Sequence, residues 1–133
     1  MLSFTELEPI VIVEGRGATV KDLEGKEYID CFAGIAVVNA GHCPTKIVEA
    51  VKNQAERLIH CCSYVYHNVP AADLAAKLAE IAPRGLQKTF LGNSGAEANE
   101  CAMKLARKHT KRHELIALEC SFHGRTIGTL SVT

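Results

Sequence analysis

Residues 89–109 read TFLGNSGAEANECAMKLARKH, and this stretch decides the fold because it has the pattern of a strand, a tight turn and a helix with an anion site at the joint. Thr89, Phe90 and Leu91 are a short β-prone run after the breaker Pro83-Arg84-Gly85, and Gly92-Asn93-Ser94-Gly95 is turn chemistry. Ser94 and Glu97 stand in the S-x-x-E relation of a capping box, in which each side chain satisfies one free backbone N–H of the first turn. Ala98, Cys101, Ala102, Leu105, Ala106 and His109 recur at helical spacing and make a small, mostly apolar stripe, with Asn99, Glu100, Lys104, Arg107 and Lys108 mainly off it. Free N–H groups at a helix start, with the positive end of the macrodipole, form a site for a phosphate or carboxylate. Gly95 and Ala96 are small enough to let such a ligand approach the backbone. An ordinary capped helix satisfies the same local pattern, so support has to come from elsewhere in the chain.

Downstream, Glu114-Leu115-Ile116-Ala117-Leu118 has the composition of a buried strand, and Glu119-Cys120-Ser121-Phe122-His123-Gly124-Arg125 leaves it as a loop. A helix between two strands is a β-α-β unit, which predicts a parallel sheet with a right-handed crossover. Ligands gather at the carboxyl ends of the strands in such sheets, so residues 92–96 and 121–125 are expected to converge on one edge. Two strands make too small a parallel sheet, and one helix cannot cover both faces, so the expectation is an N-terminal piece of a longer protein.

Upstream, Ile10-Val11-Ile12-Val13 is β-prone, Glu14-Gly15-Arg16-Gly17 is expected to turn, and Ala18-Thr19-Val20-Lys21 resumes an extended pattern. Asp22-Leu23-Glu24-Gly25 fits a type I turn, with Lys26-Glu27-Tyr28-Ile29-Asp30 as the next strand of an antiparallel group. Residues 31–42, small, apolar and punctuated by glycine, suit core or a buried crossing segment near a ligand. Pro44 opens a helix with Ile47, Val48, Val51, Ala55 and Leu58 on one face, and Pro70 opens another that Pro83 stops.

The 47% of apolar residues among 133 could supply a core for one domain. Fifteen basic and fifteen acidic residues cancel, which disfavours nucleic acid and anionic membranes as partners and favours a small-molecule ligand. No apolar run approaches the roughly 20 residues of a bilayer span, and residues 1–6 lack the features of a signal peptide, so a cytoplasmic location is expected. The six cysteines are irregularly spaced and read as reduced. His42, Cys43, His60, Cys61 and Cys62 are candidate metal ligands, but they contain no C-x-x-C pair and no metal is expected.

The segment GNSGAEANE at 92–100, followed after the helix by SFHGRT at 121–126, resembles the paired signatures of class-III pyridoxal-phosphate-dependent aminotransferases, the family of acetylornithine, ornithine and 4-aminobutyrate aminotransferases. DLEGKEYID at 22–30 and AGIAV at 33–37 with Gly41-His42 also look like that family's N-terminal region. The resemblance implies an α/β, fold-type-I architecture: residues 1–60 as an N-terminal antiparallel segment with a helix, part of the small domain, and 61–133 as the start of the large parallel-sheet domain that binds pyridoxal 5'-phosphate. It implies that Ser94, Gly95 and Ala96 hold the cofactor phosphate, that Phe122 lies on the pyridine ring with His123 beside it shaping the pocket, and that Arg125 grips the substrate carboxylate. A guanidinium fork suits that last task.

The lysine that forms a Schiff base with the cofactor, and the acid that keeps the pyridine nitrogen protonated, are implied to lie downstream. No lysine here, Lys104 included, matches that position, so no catalytic residue is expected within the chain. The expected reaction of the full-length protein moves an amino group from an amino acid, with a lean toward the acetylornithine or ornithine branch, to a 2-oxo acid, in a homodimer. A decarboxylase, racemase or aminomutase on the same fold is the nearby alternative. A non-catalytic phosphate-binding module is the alternative if the gene ends at Thr133.

Overall fold

A computed structural model of the chain describes residues 8–133, so the reading of residues 1–6 lies outside the described residues. The chain divides into two compact units, one reaching Tyr66 and the other running from His67 to Thr133.

The first unit is built on an antiparallel meander of β1 (Ile12–Arg16), β2 (Thr19–Asp22) and β3 (Glu27–Ile29), in that spatial order. Arg16 pairs with Thr19, so the reversal falls on Gly17-Ala18, later than the turn expected at residues 14–17. Gly17 has φ +58°, which glycine adopts at little cost, whereas Gly15 stays in the strand. The glycine at 15 serves packing instead, since a Cβ there would lie 2.8 Å from Cγ of His42. The type I turn at 22–25 forms as expected, with the Gly25 N–H donating to the Asp22 carbonyl at 3.0 Å. Asp22, only 8% exposed, also accepts from the amides of Glu24 and Lys26 and from the Tyr28 hydroxyl at 2.8 Å. The phenol, first, and the backbone N–H groups hold its carboxyl below the ordinary value.

The 31–42 segment differs from the expectation of core. Its α1 turn (Ala33–Ala36) runs left-handed, with φ of +49° at Ala33, +62° at Gly34 and Ile35 and +57° at Ala36. Phe32, Ile35 and Val37 are exposed. Glycine eases only position 34 of this curl, and the Asp30 carboxylate anchors it by accepting from the amides of Phe32 and Ala33. The side chain of His42 closes on Asp30 with 2.6 Å between Nε2 and Oδ2, and an isolated bridge joins Gly17 to His42. After Pro44, α2 (Thr45–Arg57) forms as the apolar spacing predicts.

In the second unit, α3 (Val69–Ile81) starts one residue before Pro70, because Asn68 is the N-cap and its side chain accepts from the Ala71 N–H at 2.8 Å. The helix α4 (Gly95–Thr110) follows, capped by Ser94 and closed by Lys111 at φ +60°. A final turn, α5 (Ile127–Leu130), carries a reciprocal cap between Thr126 and Thr129. The strands expected at 89–91 and 114–118 are not laddered among the described residues, and the β-α-β pairing is absent there. Their apolar composition is that of strands, but a strand exists only with a partner for its backbone N–H and C=O groups. Ile116, 100% exposed, has no such surroundings. The expected core is likewise missing, for no apolar side chain among the described residues is buried. Burial of a helical or sheet face needs a second layer against it, which these residues do not provide.

Candidate functional site

The start of α4 is capped as the sequence predicts on one side only. Ser94 Oγ accepts from the Glu97 N–H at 3.2 Å, whereas the Glu97 carboxylate reaches past the N-cap to the Asn93 N–H at 2.6 Å. The amides of Gly95 and Ala96 have no acceptor among the described residues, and a Cβ on Gly95 would meet nothing within 4 Å. Two N–H groups at the positive end of a 16-residue helix thus lack a protein acceptor among the described residues. That arrangement suits a phosphate, although the Glu97 carboxylate already claims part of the same field.

The loop after residue 120 folds onto this first helical turn, so the expected convergence of 92–96 with 121–125 is present. A Cβ added at Gly124 would stand 2.7 Å from Cβ of Ala96, and Gly124 has φ +131°, so only glycine fits there. The Asn99 side-chain amide donates to the His123 carbonyl at 2.8 Å. His123 Nδ1 faces the Val132 carbonyl at 2.8 Å; a carbonyl only accepts, so this nitrogen carries the proton. Its imidazole is therefore engaged with the segment that follows its own loop. Phe122 is 64% exposed. The Arg125 guanidinium lies 5.0 Å from the Phe122 centroid, a cation–π contact that occupies one face of the ring.

Sequence reasoning missed what anchors this loop. Glu100 Oε1 accepts from Thr126 Oγ1 at 2.5 Å and from the Gly128 N–H at 3.1 Å. These bonds, the Thr126 hydroxyl foremost, draw its carboxyl below the ordinary value. Ala96, Asn99, Glu100 and Met103 are half-buried and make one covered face of α4; on the apolar stripe Cys101 is half-buried and Leu105 exposed. The available signal was the adjacent polar pair Asn99-Glu100 one turn beyond the cap, and the T-x-x-T spacing of Thr126 and Thr129.

Among the described residues no helix is long and apolar enough to cross a membrane. A family model, aminotransferase class-III, matches residues 4–133. An acetylornithine aminotransferase of Methanopyrus kandleri is 58% identical over 125 residues, covering 94% of this chain and 32% of that protein. Among solved structures, the adenosylmethionine-8-amino-7-oxononanoate aminotransferase of Methanocaldococcus jannaschii is similar at a TM-score of 0.91 and 33% identity, covering 99% of this chain and 33% of its own. The taurine:2-oxoglutarate aminotransferase of Bifidobacterium kashiwanohense, in complex with PLP and glutamate, follows at 0.89 and 32% identity, over 97% and 29%. The chain thus spans about a third of the length of the relatives that it matches. With the family match running across the capped start of α4 and the loop folded against it, the chain belongs to the class-III aminotransferases and has the α/β fold of pyridoxal-phosphate-dependent transaminases.

Proposed function

We propose that the full-length protein is a pyridoxal-phosphate-dependent aminotransferase that takes the amino group of an acetylornithine- or ornithine-like amino acid and delivers it to a 2-oxo acid. The observation that carries this reading is the pair of open amides, Gly95 and Ala96, at a helix start against which a loop bearing an exposed aromatic and an arginine is folded. The donor set fits the cofactor's phosphate, because backbone N–H groups at the dipole's positive end bind an anion without a side chain that competes for protons. Pyridoxal phosphate supplies, when bound, an electrophilic carbonyl and a ring that accepts electrons.

Ser94, Gly95 and Ala96 hold the phosphate, and the face of Phe122 not taken by Arg125 rests on the pyridine ring. His123, with its Nδ1 proton given to a carbonyl, fixes the loop and leaves proton transfer to other groups. Arg125 receives the substrate carboxylate. The lysine that carries the cofactor is supplied by another part of the protein. Residues 1–60 belong to the small domain and 61–133 to the cofactor domain, in a cytoplasmic homodimer.

The test is to incubate full-length protein with acetylornithine and 2-oxoglutarate and to quantify both products. Equimolar glutamate and the aldehyde of the donor are expected, and release of carbon dioxide or of free ammonia in their place overturns the assignment. Gly95→Val should cost cofactor retention through dialysis, because the new side chain fills the space above the open amides. Retention equal to the parent's refutes the phosphate site.

A further inference from the structure

We propose that Glu100 is a positioning residue, whose carboxylate latches the 121–126 loop to the first turns of α4 and so sets where Phe122 and Arg125 stand. The inference rests on the aminotransferase reading for its kinetic consequences, though not for its geometry. One carboxylate ties together segments more than 25 residues apart: it accepts from the Thr126 hydroxyl at 2.5 Å and from the Gly128 amide at 3.1 Å. The Thr129 amide donates to the Thr126 hydroxyl oxygen at 3.4 Å, which ties α5 to the same residue that Glu100 holds. Thr129 is fully buried and locks Thr126 in turn, with 2.8 Å between the two hydroxyl oxygens.

Fit is tight on the opposite side of the latch. A Cβ at Gly128 would lie 2.5 Å from Oε2 and 2.6 Å from Oε1 of Glu100, so the glycine leaves room for the carboxylate. Asn99, the preceding residue, holds the loop's other end through the His123 carbonyl. Between these two anchors lie Gly124, pressed against Ala96, and Arg125, which has the Phe122 ring beneath it. Releasing one anchor lets the arginine drift while the amides of Gly95 and Ala96 stay where the helix puts them.

The experiment uses full-length holoenzyme carrying Glu100→Ala, Gly128→Ala and both together. Each single change should raise KM for the amino-acid donor by about 10- to 100-fold, the loss expected for hydrogen bonds to a charged group, while the cofactor survives dialysis. The matching amine without the α-carboxylate should be affected far less. Glu100→Gln keeps one acceptor oxygen and should recover much of the parent's KM. In the double variant the new methyl enters the space vacated by the carboxylate, so Gly128→Ala should add almost nothing on the Glu100→Ala background. A KM within twofold of the parent's in the folded Glu100→Ala enzyme, or effects that simply add, overturns the latch. Amide hydrogen exchange at Gly128 and Thr129 separates this proposal from the functional one. Glu100→Ala should speed both amides whether or not the parent transaminates, and unchanged exchange refutes the latch even in an active enzyme.

Discussion

Arg125 sits with its guanidinium over the Phe122 ring, a contact worth about 0.5–1 kcal/mol at an exposed site. It is therefore partly pre-oriented, and a planar guanidinium fork is suited to two charge-assisted bonds to a carboxylate. Arg125→Lys retains charge and loses the fork. In full-length enzyme the variant should bind cofactor with unchanged absorbance while kcat/KM for amino acids falls roughly 10- to 100-fold. Steady-state kinetics with an amino acid and its decarboxylated analogue checks this, since a carboxylate clamp requires the loss to fall on the acid alone. At this scale the sequence was partly legible. The Ser94 cap and the helix start at Gly95 declare themselves through local spacing, because a cap and its helix are neighbours along the chain. Glu100 and Gly124 do not, for the groups that give them meaning lie 26 to 28 residues away.

Among the elements, α2, α3 and α4 follow from apolar spacing, Pro44, Pro70, Ser94 and the stop at Pro83, all of which act within one or two turns, although the Asn68 cap of α3 is not among these signals. The strands read at 89–91 and 114–118 did not form a ladder, since strand identity depends on a partner that composition cannot supply. The left-handed α1 turn was also illegible. Ile35 at φ +62° is disfavoured intrinsically, and only surrounding bonds hold it. Asp30 provides them, and its carboxyl lies below the ordinary range, chiefly through its bond to His42 and then through the Ala33 amide. The folded value is below the unfolded one, so the stabilisation is complete above the ordinary carboxylate range and is lost as pH falls through the depressed value. Amide exchange at Phe32 and Ala33, corrected for intrinsic rates, should therefore accelerate on acidification in that window. Asp30→Asn should show fast exchange already at neutral pH. Protection that is flat across the window in the parent would mean that the turn is held by something other than this carboxylate.

At the scale of the whole molecule, composition misled in one respect. A 47% apolar content reads as a core, yet no apolar side chain among the described residues is buried, with Leu118 and Ile127 as open as Ile116 nearly is. Helices α2 and α4 keep their backbone bonds internally, but their apolar faces have no second layer, and packing of such faces supplies most of the stability of helices in proteins. Local bonds and caps of about 1 kcal/mol each do not offset the entropy of ordering a chain of this length. A polypeptide of these 133 residues, produced alone, should accordingly show helical far-ultraviolet dichroism, bind a hydrophobic dye such as ANS, and melt broadly without a calorimetric peak. Its zero formal charge at pH 7 removes the repulsion that would keep such surfaces apart, so association should rise toward neutral pH and fall as the pH moves away from it. Scanning calorimetry with dye titration decides the matter. A sharp, reversible transition with no dye binding would mean that the apolar faces of α2 and α4 find partners within the chain that the fold described here does not give them.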